Sequence, residues 1–534
     1  MHSTHLAIVE SSATLYANRA AFYVPAVDTT TNAVFEWRPV NFAQFKLDID
    51  SYARYWTSIF ESRNIEKNSV IGLWIGGFTY LDLLHVYGLS RAGYIPQLFS
   101  LRLPNPDIIS ELLTRADAKA LIFDASFKDV LGNASVPIFP FQTSVDPSFT
   151  EGPLAPIADR ALDDTVFIFH TSGSTSGSPK LVPCNYRWLQ ASIAKSHQLS
   201  VPKRPGQGDV TTWMGSVCHI GQSFMLLGAL YHGSCTIQPT VITFDTPELL
   251  DMITRCGLNR LRQFAAFLAK NIRAAQKDPQ LRSALAGLDE VLYSGMPLPQ
   301  EEEKWAYAHM PLKNLFGSTE CGATLTSVGG CGNDAHLLRA LEKTDYAFLP
   351  IDGLDANGLG HHSTAQMLEF VVLSTSGDCP DASLRNANDG HFHTGDLFQE
   401  VAPGLYLSCG RNDDWIKSEN SLRCDTKAIE DNVRETCGKF VLDCIVVGSG
   451  RPSPTLFVEA VGDMDETKLK KDIIRKTRAF HSRRYLHERI TDPKFIVVVP
   501  RLTLPRTATK GNIRRKAVED QFQSQLDTIY GLVR

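Results

Sequence analysis

The sequence lacks most of the features that assign a chain of this size to a simple class. Its eleven cysteines are scattered, as at Cys184, Cys218, Cys321, Cys409 and Cys444, and no two form a CxxC pair. That spacing suits neither a zinc site nor a disulfide framework, and a reducing compartment, the cytoplasm, is the expectation. Charge of one sign is missing too: 53 Lys and Arg against 58 Asp and Glu leave a net charge of -5. A nucleic-acid partner is therefore not expected. The start, MHSTHLAIVESSATLY, has no basic end followed by an apolar core, so no secretory signal is expected. The most apolar stretch, from Val70 to Phe99, is interrupted by Asp82, His85 and Arg91 and is too polar to span a bilayer, so no membrane partner is expected. There is no internal repeat and no long low-complexity linker.

What is present reads as ordinary globular material. With 534 residues, 43% hydrophobic and 21% charged, the chain is too long for a single core, and two or more domains are expected. SVIGLWI, ALIFD and DTVFIFH (Asp164 to His170) read as buried strands. TPELLDMITRCG reads as a helix with Thr246 as N-cap, Pro247 in the first turn, Leu249, Leu250 and Ile253 on one face, and Gly257 as the stop. Such alternation predicts α/β architecture. Towards the C-terminus Lys468, Lys470, Lys471, Arg475, Lys476, Arg478, Arg483 and Arg484 crowd one segment, followed by Arg501, Arg506, Lys510, Arg514, Arg515 and Lys516. The ordinary reading is a solvated helix face. Clustering beyond Gly410 also predicts a separate basic domain of about a hundred residues.

The stretch FIFHTSGSTSGSPKLVP (Phe167 to Pro183) breaks a strand-like run with small, hydroxylated residues and one lysine. A flexible linker rarely follows a buried strand this tightly. A P-loop needs Gly-Lys-Ser/Thr, whereas Lys180 is followed by Leu181 and Val182. The remaining reading is a mobile phosphate-grasping loop outside that class, whose amides and hydroxyls wrap a triphosphate while Lys180 adds charge. In NLFGSTECG (Asn314 to Gly322), Phe316 can stack a base, Thr319 can bind a phosphate oxygen and Glu320 can hold Mg²⁺. A turn with a surface glutamate is the competing reading. FHTGDLF places Asp396 in a tight turn, where a carboxylate can accept both hydroxyls of a ribose. GRNDDWIK (Gly410 to Lys417) adds Arg411 and two aspartates, and LPRTATKGNIRRK (Leu504 to Lys516) carries Lys510 beside Gly511.

These stretches, in this order, resemble the adenylate-forming superfamily of acyl-CoA synthetases, luciferases and peptide-synthetase adenylation domains, from about Ile71 to Lys516. GLSRAGYIPQL, LYSGMPL (Leu292 to Leu298) and SVCHIGQSF are similar to further segments of that family. GSGRPSPTLFVEA, PKLVP and TATKGNIRRKAVEDQF look most like adenylation domains of fungal reductase-type multidomain enzymes. The resemblance implies a large N-terminal domain of layered sheets and helices (residues 1–411) and a small mobile α+β lid (residues 412–534). It implies ATP and Mg²⁺ as cofactors, a small carboxylic acid as substrate, and phosphopantetheine, on a carrier protein or as coenzyme A, as thiol acceptor. Thr171, Ser172, Gly173, Ser174, Thr175, Gly177 and Lys180 fall to the phosphates; Ser294, Gly295, Phe316, Gly317 and Ser318 to the nucleotide. Thr319 falls to the α-phosphate, Glu320 to Mg²⁺, and Asp396 with Arg411 to the ribose. Lys510 bridges carboxylate and phosphate, His219 lines the acid pocket, and Asp413 is the hinge about which the small domain rotates between half-reactions.

Three departures from the family pattern stand out. The phosphate segment has one extra residue, Ser176; the order Lys510–Gly511 reverses the common Gly-Lys; and Asn420 replaces a glycine of the pantetheine tunnel. SVCHIGQSF offers no aspartate to pair with an amine, so an aryl or alkyl acid is expected over an α-amino acid. For His219 a satisfied core histidine is the competing reading. The chain stops soon after the lysine motif, so an acceptor outside these residues is expected, docked through Arg475, Lys476, Arg483 or Arg484. A free-standing acyl- or aryl-CoA ligase is the alternative, and an inactive nucleotide-binding regulator a third.

Overall fold

The computed structural model describes residues 4–531 except 29, 102, 104, 130, 132–133, 172–179, 205, 331, 352–366, 386, 413–414, 418–422, 483, 485–487 and 507–510. The three strand-like runs, Val70–Ile75, Ala120–Phe123 and Thr165–Thr171, all enter one six-stranded sheet. Its order is Ile138–Pro140, Ala120–Phe123, Val70–Ile75, Ile95–Ser100, Thr165–Thr171, Lys180–Asn185. All neighbours run parallel except the last pair, which is antiparallel. Strands buried on both faces carry apolar residues continuously, which is why these runs are legible without alternation.

A second, 13-stranded sheet is parallel through its middle and antiparallel towards both ends. Its parallel part includes Val210–Thr212, Arg260–Phe264, Glu290–Ser294 and Leu312–Ser318. Between the two sheets lie the helices Phe42–Glu61, Tyr80–Arg91, Tyr186–Ser200 and Ile220–Tyr231. One apolar core joins Phe22 from the large sheet and Trp213 just after its strand Val210–Thr212, Ile71 and Phe169 from the small sheet, and Trp56, Leu83, Leu189 and Leu226 from these helices. The last two helices touch closely: Ser196 Oγ donates to the Phe224 carbonyl at 2.6 Å and accepts from Gly228 N at 2.8 Å. A Cβ on Gly228 would stand 2.3 Å from the Ser196 carbonyl oxygen, so glycine is required there.

The helix expected around residue 246 is Thr246–Arg255, but its N-cap is Asp245, whose side chain accepts from Glu248 N. Thr246 is the first helical residue rather than the cap. Aspartate and threonine both cap well, and the carboxylate one place earlier also favours the positive end of the helix dipole. Gly257 follows the C-cap Cys256 with φ of 72°, as a stop residue should.

The C-terminal part is built on a three-stranded sheet, Val441–Val447, Thr455–Ala460 and Ile496–Val499, with helices Thr426–Cys437 and Glu466–Ser482. It has its own apolar core, including Ile429, Val433, Val446, Val458, Leu469 and Ile473. The basic run is the outer stripe of Glu466–Ser482: Lys468, Lys471, Arg475, Lys476 and Arg478 are exposed, while Leu469, Ile473, Thr477 and His481 turn inwards. Arg484 is already engaged, with Nη2 2.7 Å from Glu488 Oε1 and the guanidinium over the Phe480 ring.

Candidate active site

The carboxyl ends of three adjacent parallel strands meet at one place. In register, Phe264 lies beside Ser294 and Ser294 beside Leu315, and Phe316 is the next residue along its strand. In sheets of this kind the crevice outside the strand carboxyl ends is where ligands bind. The Phe264 ring stands edge-on to His219, centroids 5.4 Å apart and planes at 83°. Glycines make room for it: a Cβ on Gly215 would come 2.5 Å from the ring, and one on Gly295, where φ is 92°, 3.0 Å. His219 is the exposed N-cap of Ile220–Tyr231, its Nδ1 accepting from Gly221 N at 3.2 Å. It is therefore not a core histidine. Phe264 escapes sequence reasoning because a lone aromatic between a strand and a helix reads as core, and the glycines around it are far apart in the chain.

Thr319 and Glu320 occupy the tip of a hairpin between Leu312–Ser318 and Gly322–Ser327, whose register pairs Ser318 with Gly322. Three residues turn the chain and Gly322, with φ of 67°, takes the left-handed position such loops need. Gly317 is glycine for a different reason: a Cβ would meet the Gly322 carbonyl oxygen at 2.3 Å. Both Thr319 and Glu320 are half-buried. Burial pushes the Cys184 thiol up, and the Glu320 carboxylate pushes it the same way, which places that carboxylate near the strand Lys180–Asn185.

Phe316 touches Phe398 edge-on at 5.3 Å, and through it the hairpin reaches the strand Phe392–Ala402. Asp396 lies on that strand, not in the tight turn the FHTGDLF pattern suggests. Gly395, with φ of 73°, sits in a bulge against the strand Met367–Val372, where His393 pairs with Val371 and Leu397 with Glu369. A bulge re-aims a side chain without ending the strand. Arg411 faces Asp396 on the neighbouring strand, Nη1 to Oδ1 3.1 Å. Behind the bulge, Glu369 accepts from Gly395 N at 3.2 Å and from His393 at 3.0 Å, and Asp389 holds the other ring nitrogen at 2.9 Å. Partial burial opposes charge on His393, but the two carboxylates outweigh it and raise its pKa.

Thr171 and Lys180 face each other across the last pair of the small sheet, and Lys180 is exposed. Ser172, Gly173, Ser174, Thr175, Ser176 and Gly177 between them lie outside the described residues, as do Asp413, Asn420, Arg483 and Lys510. The flanks of Lys510 are described. Arg506 and Ile513 form an antiparallel bridge, and Arg506 pairs with Glu459 at 2.7 Å and Asp443 at 2.8 Å. Among the described residues no group of three or more His, Cys, Asp or Glu is placed to hold a metal ion. A lone carboxylate such as Glu320 still suits Mg²⁺, which keeps most of its waters and takes the rest of its oxygens from phosphates.

Two family models match the chain: AMP-binding enzyme over residues 10–345 and the AMP-binding enzyme C-terminal domain over 413–533. The chain belongs to the AMP-binding enzyme family. Like its relatives, this AMP-binding enzyme is adenylate-forming. It is 34% identical over 521 residues to the AMP-binding domain-containing enzyme iboA of Amanita muscaria (strain Koide BX008), covering 95% of this chain and 99% of the relative. It is 24% identical over 495 residues to the adenylate-forming reductase Nps10 of Heterobasidion annosum, covering 85% of this chain but only 43% of that protein. The fold matches O-succinylbenzoate coenzyme A synthetase from Bacillus subtilis, in complex with ATP and magnesium ion, with a TM-score of 0.70. That match covers 96% of this chain and 99% of the other at 15% identity. The ten described cysteines of this AMP-binding enzyme are free. Among the described residues no helix is long and apolar enough to cross a membrane.

Proposed function

We propose that this enzyme adenylates a simple carboxylic acid with ATP and passes the acyl group to a phosphopantetheine thiol. A carboxylate oxygen attacks the α-phosphorus and pyrophosphate leaves; the thiolate then attacks the acyl carbon, and AMP leaves with the bridging oxygen. The observation that carries the reading is the row of Phe316, Thr319 and Glu320 at the strand ends, joined through Phe398 to the Asp396–Arg411 pair. Phe316 offers a ring to adenine, and Asp396 with Arg411 a polar pair to the ribose. Thr319 faces the α-phosphate, Thr171 and Lys180 bring the serine- and glycine-rich segment to the β- and γ-phosphates, and Glu320 holds Mg²⁺, which neutralises phosphate charge when bound. Lys510 supplies the cation between carboxylate and phosphate, and rotation about Asp413 withdraws it before the thiol arrives. Preorganised charges of this kind do most of the work in such reactions.

The acid site lies around His219, Phe264 and Gly295, where an aromatic wall and the absence of an acidic side chain among Gly215, His219, Gly221, Phe264 and Gly295 suit an aryl or aliphatic acid. The acceptor is a carrier protein whose acidic surface meets the exposed basic stripe of Glu466–Ser482. Free cysteines suit a cytoplasmic setting. Pyrophosphate exchange into ATP across a panel of acids tests the reading. Exchange dependent on an acid is expected; no exchange with any acid would leave only nucleotide binding.

A further inference from the structure

The helix Tyr186–Ser200 grips the Thr319–Glu320 turn from beneath at two points. Trp188 Nε1 donates to the Glu320 carbonyl at 3.0 Å, and Lys195 Nζ donates to the Cys321 carbonyl at 2.8 Å. Seven residues separate the two donors, about two helical turns, so they share one stripe of the helix. Lys195 is in turn paired with Asp378 at 2.5 Å, each side chain 1% exposed. Asp378 accepts from the Tyr346 hydroxyl and from Ser376 Oγ. Burial opposes ionisation of Asp378, but Lys195 and these donors more than offset it, and its carboxyl is held below the usual range. A buried ion pair adds little net stability over apolar packing of the same volume, so its use here is better sought in geometry. The same helix begins at the end of the strand Lys180–Asn185, with Asn185 as its N-cap. One rigid element thus ties the chain leaving residue 180 to the hairpin that carries Thr319 and Glu320.

We propose that Trp188 and Lys195, with Asp378 behind Lys195, are positioning residues that set the Glu320 carboxylate against the metal-bound nucleotide. This rests on the reading of Glu320 given above. The test is pyrophosphate exchange as free Mg²⁺ is titrated at fixed ATP, with the melting temperature recorded for each protein. Trp188→Phe removes the N–H and keeps the ring. Lys195→Met/Asp378→Asn removes the second donor without stranding a buried charge. Glu320→Gln is the reference for losing the carboxylate itself. Each positioning variant should need more Mg²⁺ for half-maximal rate, by roughly threefold to tenfold for one lost hydrogen bond, and Glu320→Gln more still. A shift in Glu320→Gln with none in either positioning variant overturns the inference, even if their melting temperatures fall. No shift in Glu320→Gln overturns the metal assignment and the inference with it.

Discussion

Asp396 and Arg411 face each other across adjacent antiparallel strands, Oδ1 to Nη1 3.1 Å, next to the bulge at Gly395. The Arg411 side chain is 46% exposed, so the pair itself is worth only about 0–1 kcal/mol of stability. Its value in this account lies in the ribose. Asp396→Asn and Arg411→Ala should leave the melting temperature nearly unchanged yet raise KM for ATP about tenfold or more, as expected for losing hydrogen bonds to a charged group. Unchanged KM in both variants would remove the pair from the nucleotide site.

Lys510 makes a prediction of a different kind, because only one half-reaction should need it. Lys510→Ala should slow adenylation about a hundredfold or more, as when one preorganised charge contact is lost. Thioester formation from pre-made acyl-AMP should survive. Single-turnover assays of each half-reaction separate the two, and equal loss in both would contradict the assignment.

The acid pocket should discriminate against an α-ammonium group. Burying that cation among Phe264, His219 and the surrounding glycines without a carboxylate partner is costly. Simple aryl or aliphatic acids should therefore support faster exchange than their α-amino analogues. Phe264→Ala should relax the preference for ring size, read as a change in the order of kcat/KM across the acid panel. Faster exchange with an amino acid than with any simple acid would show that the pocket has another amine partner.

How far the sequence reveals this site follows from which interactions are local. Strands such as Val70–Ile75 are legible because burial on both faces demands an unbroken apolar run, whereas NLFGSTECG shows its residue types but not the hairpin that presents them. The Asp396 bulge is not legible, since glycine before aspartate marks a turn and a bulge alike. Trp188 and Lys195 read as ordinary helix residues, for their partners Glu320, Cys321 and Asp378 lie 126 to 183 positions away. Phe264 is hidden in the same way. Side chains that do chemistry cluster in motifs, whereas those that hold them in place are chosen by the fold.

His393 carries a pH dependence. Its raised pKa comes from Glu369 and Asp389 overcoming a burial penalty. The stability it adds is fully present below the unfolded value, about 6.5, and is lost as pH rises through the higher folded value. The difference in stability between the wild type and His393→Gln should therefore be largest at acid pH and shrink towards pH ~9, measured by thermal melts across that range. A difference that grows with pH would mean that His393 is held neutral.

Docking of a carrier should depend on Arg475 and Lys476, which are exposed on the helix Glu466–Ser482 (Arg475 stays 73% exposed beside its partner Asp472), and little on Arg484, which is only 19% exposed and held by Glu488. Arg475→Glu/Lys476→Glu should slow acyl transfer to a carrier, with a salt-sensitive rate, while pyrophosphate exchange holds. Unaffected transfer, or coenzyme A as the better acceptor, would favour a free-standing ligase.

The central claim is that a carboxylate oxygen of the substrate attacks the α-phosphorus of ATP at the strand ends around Thr319 and Glu320. Its most direct test is the fate of ¹⁸O supplied in both oxygens of the acid's carboxylate, followed by mass spectrometry of the nucleotide after acyl transfer. The account predicts one labelled oxygen in the phosphate of AMP and none in pyrophosphate. Unlabelled AMP, or label released in orthophosphate alongside ADP, would contradict it.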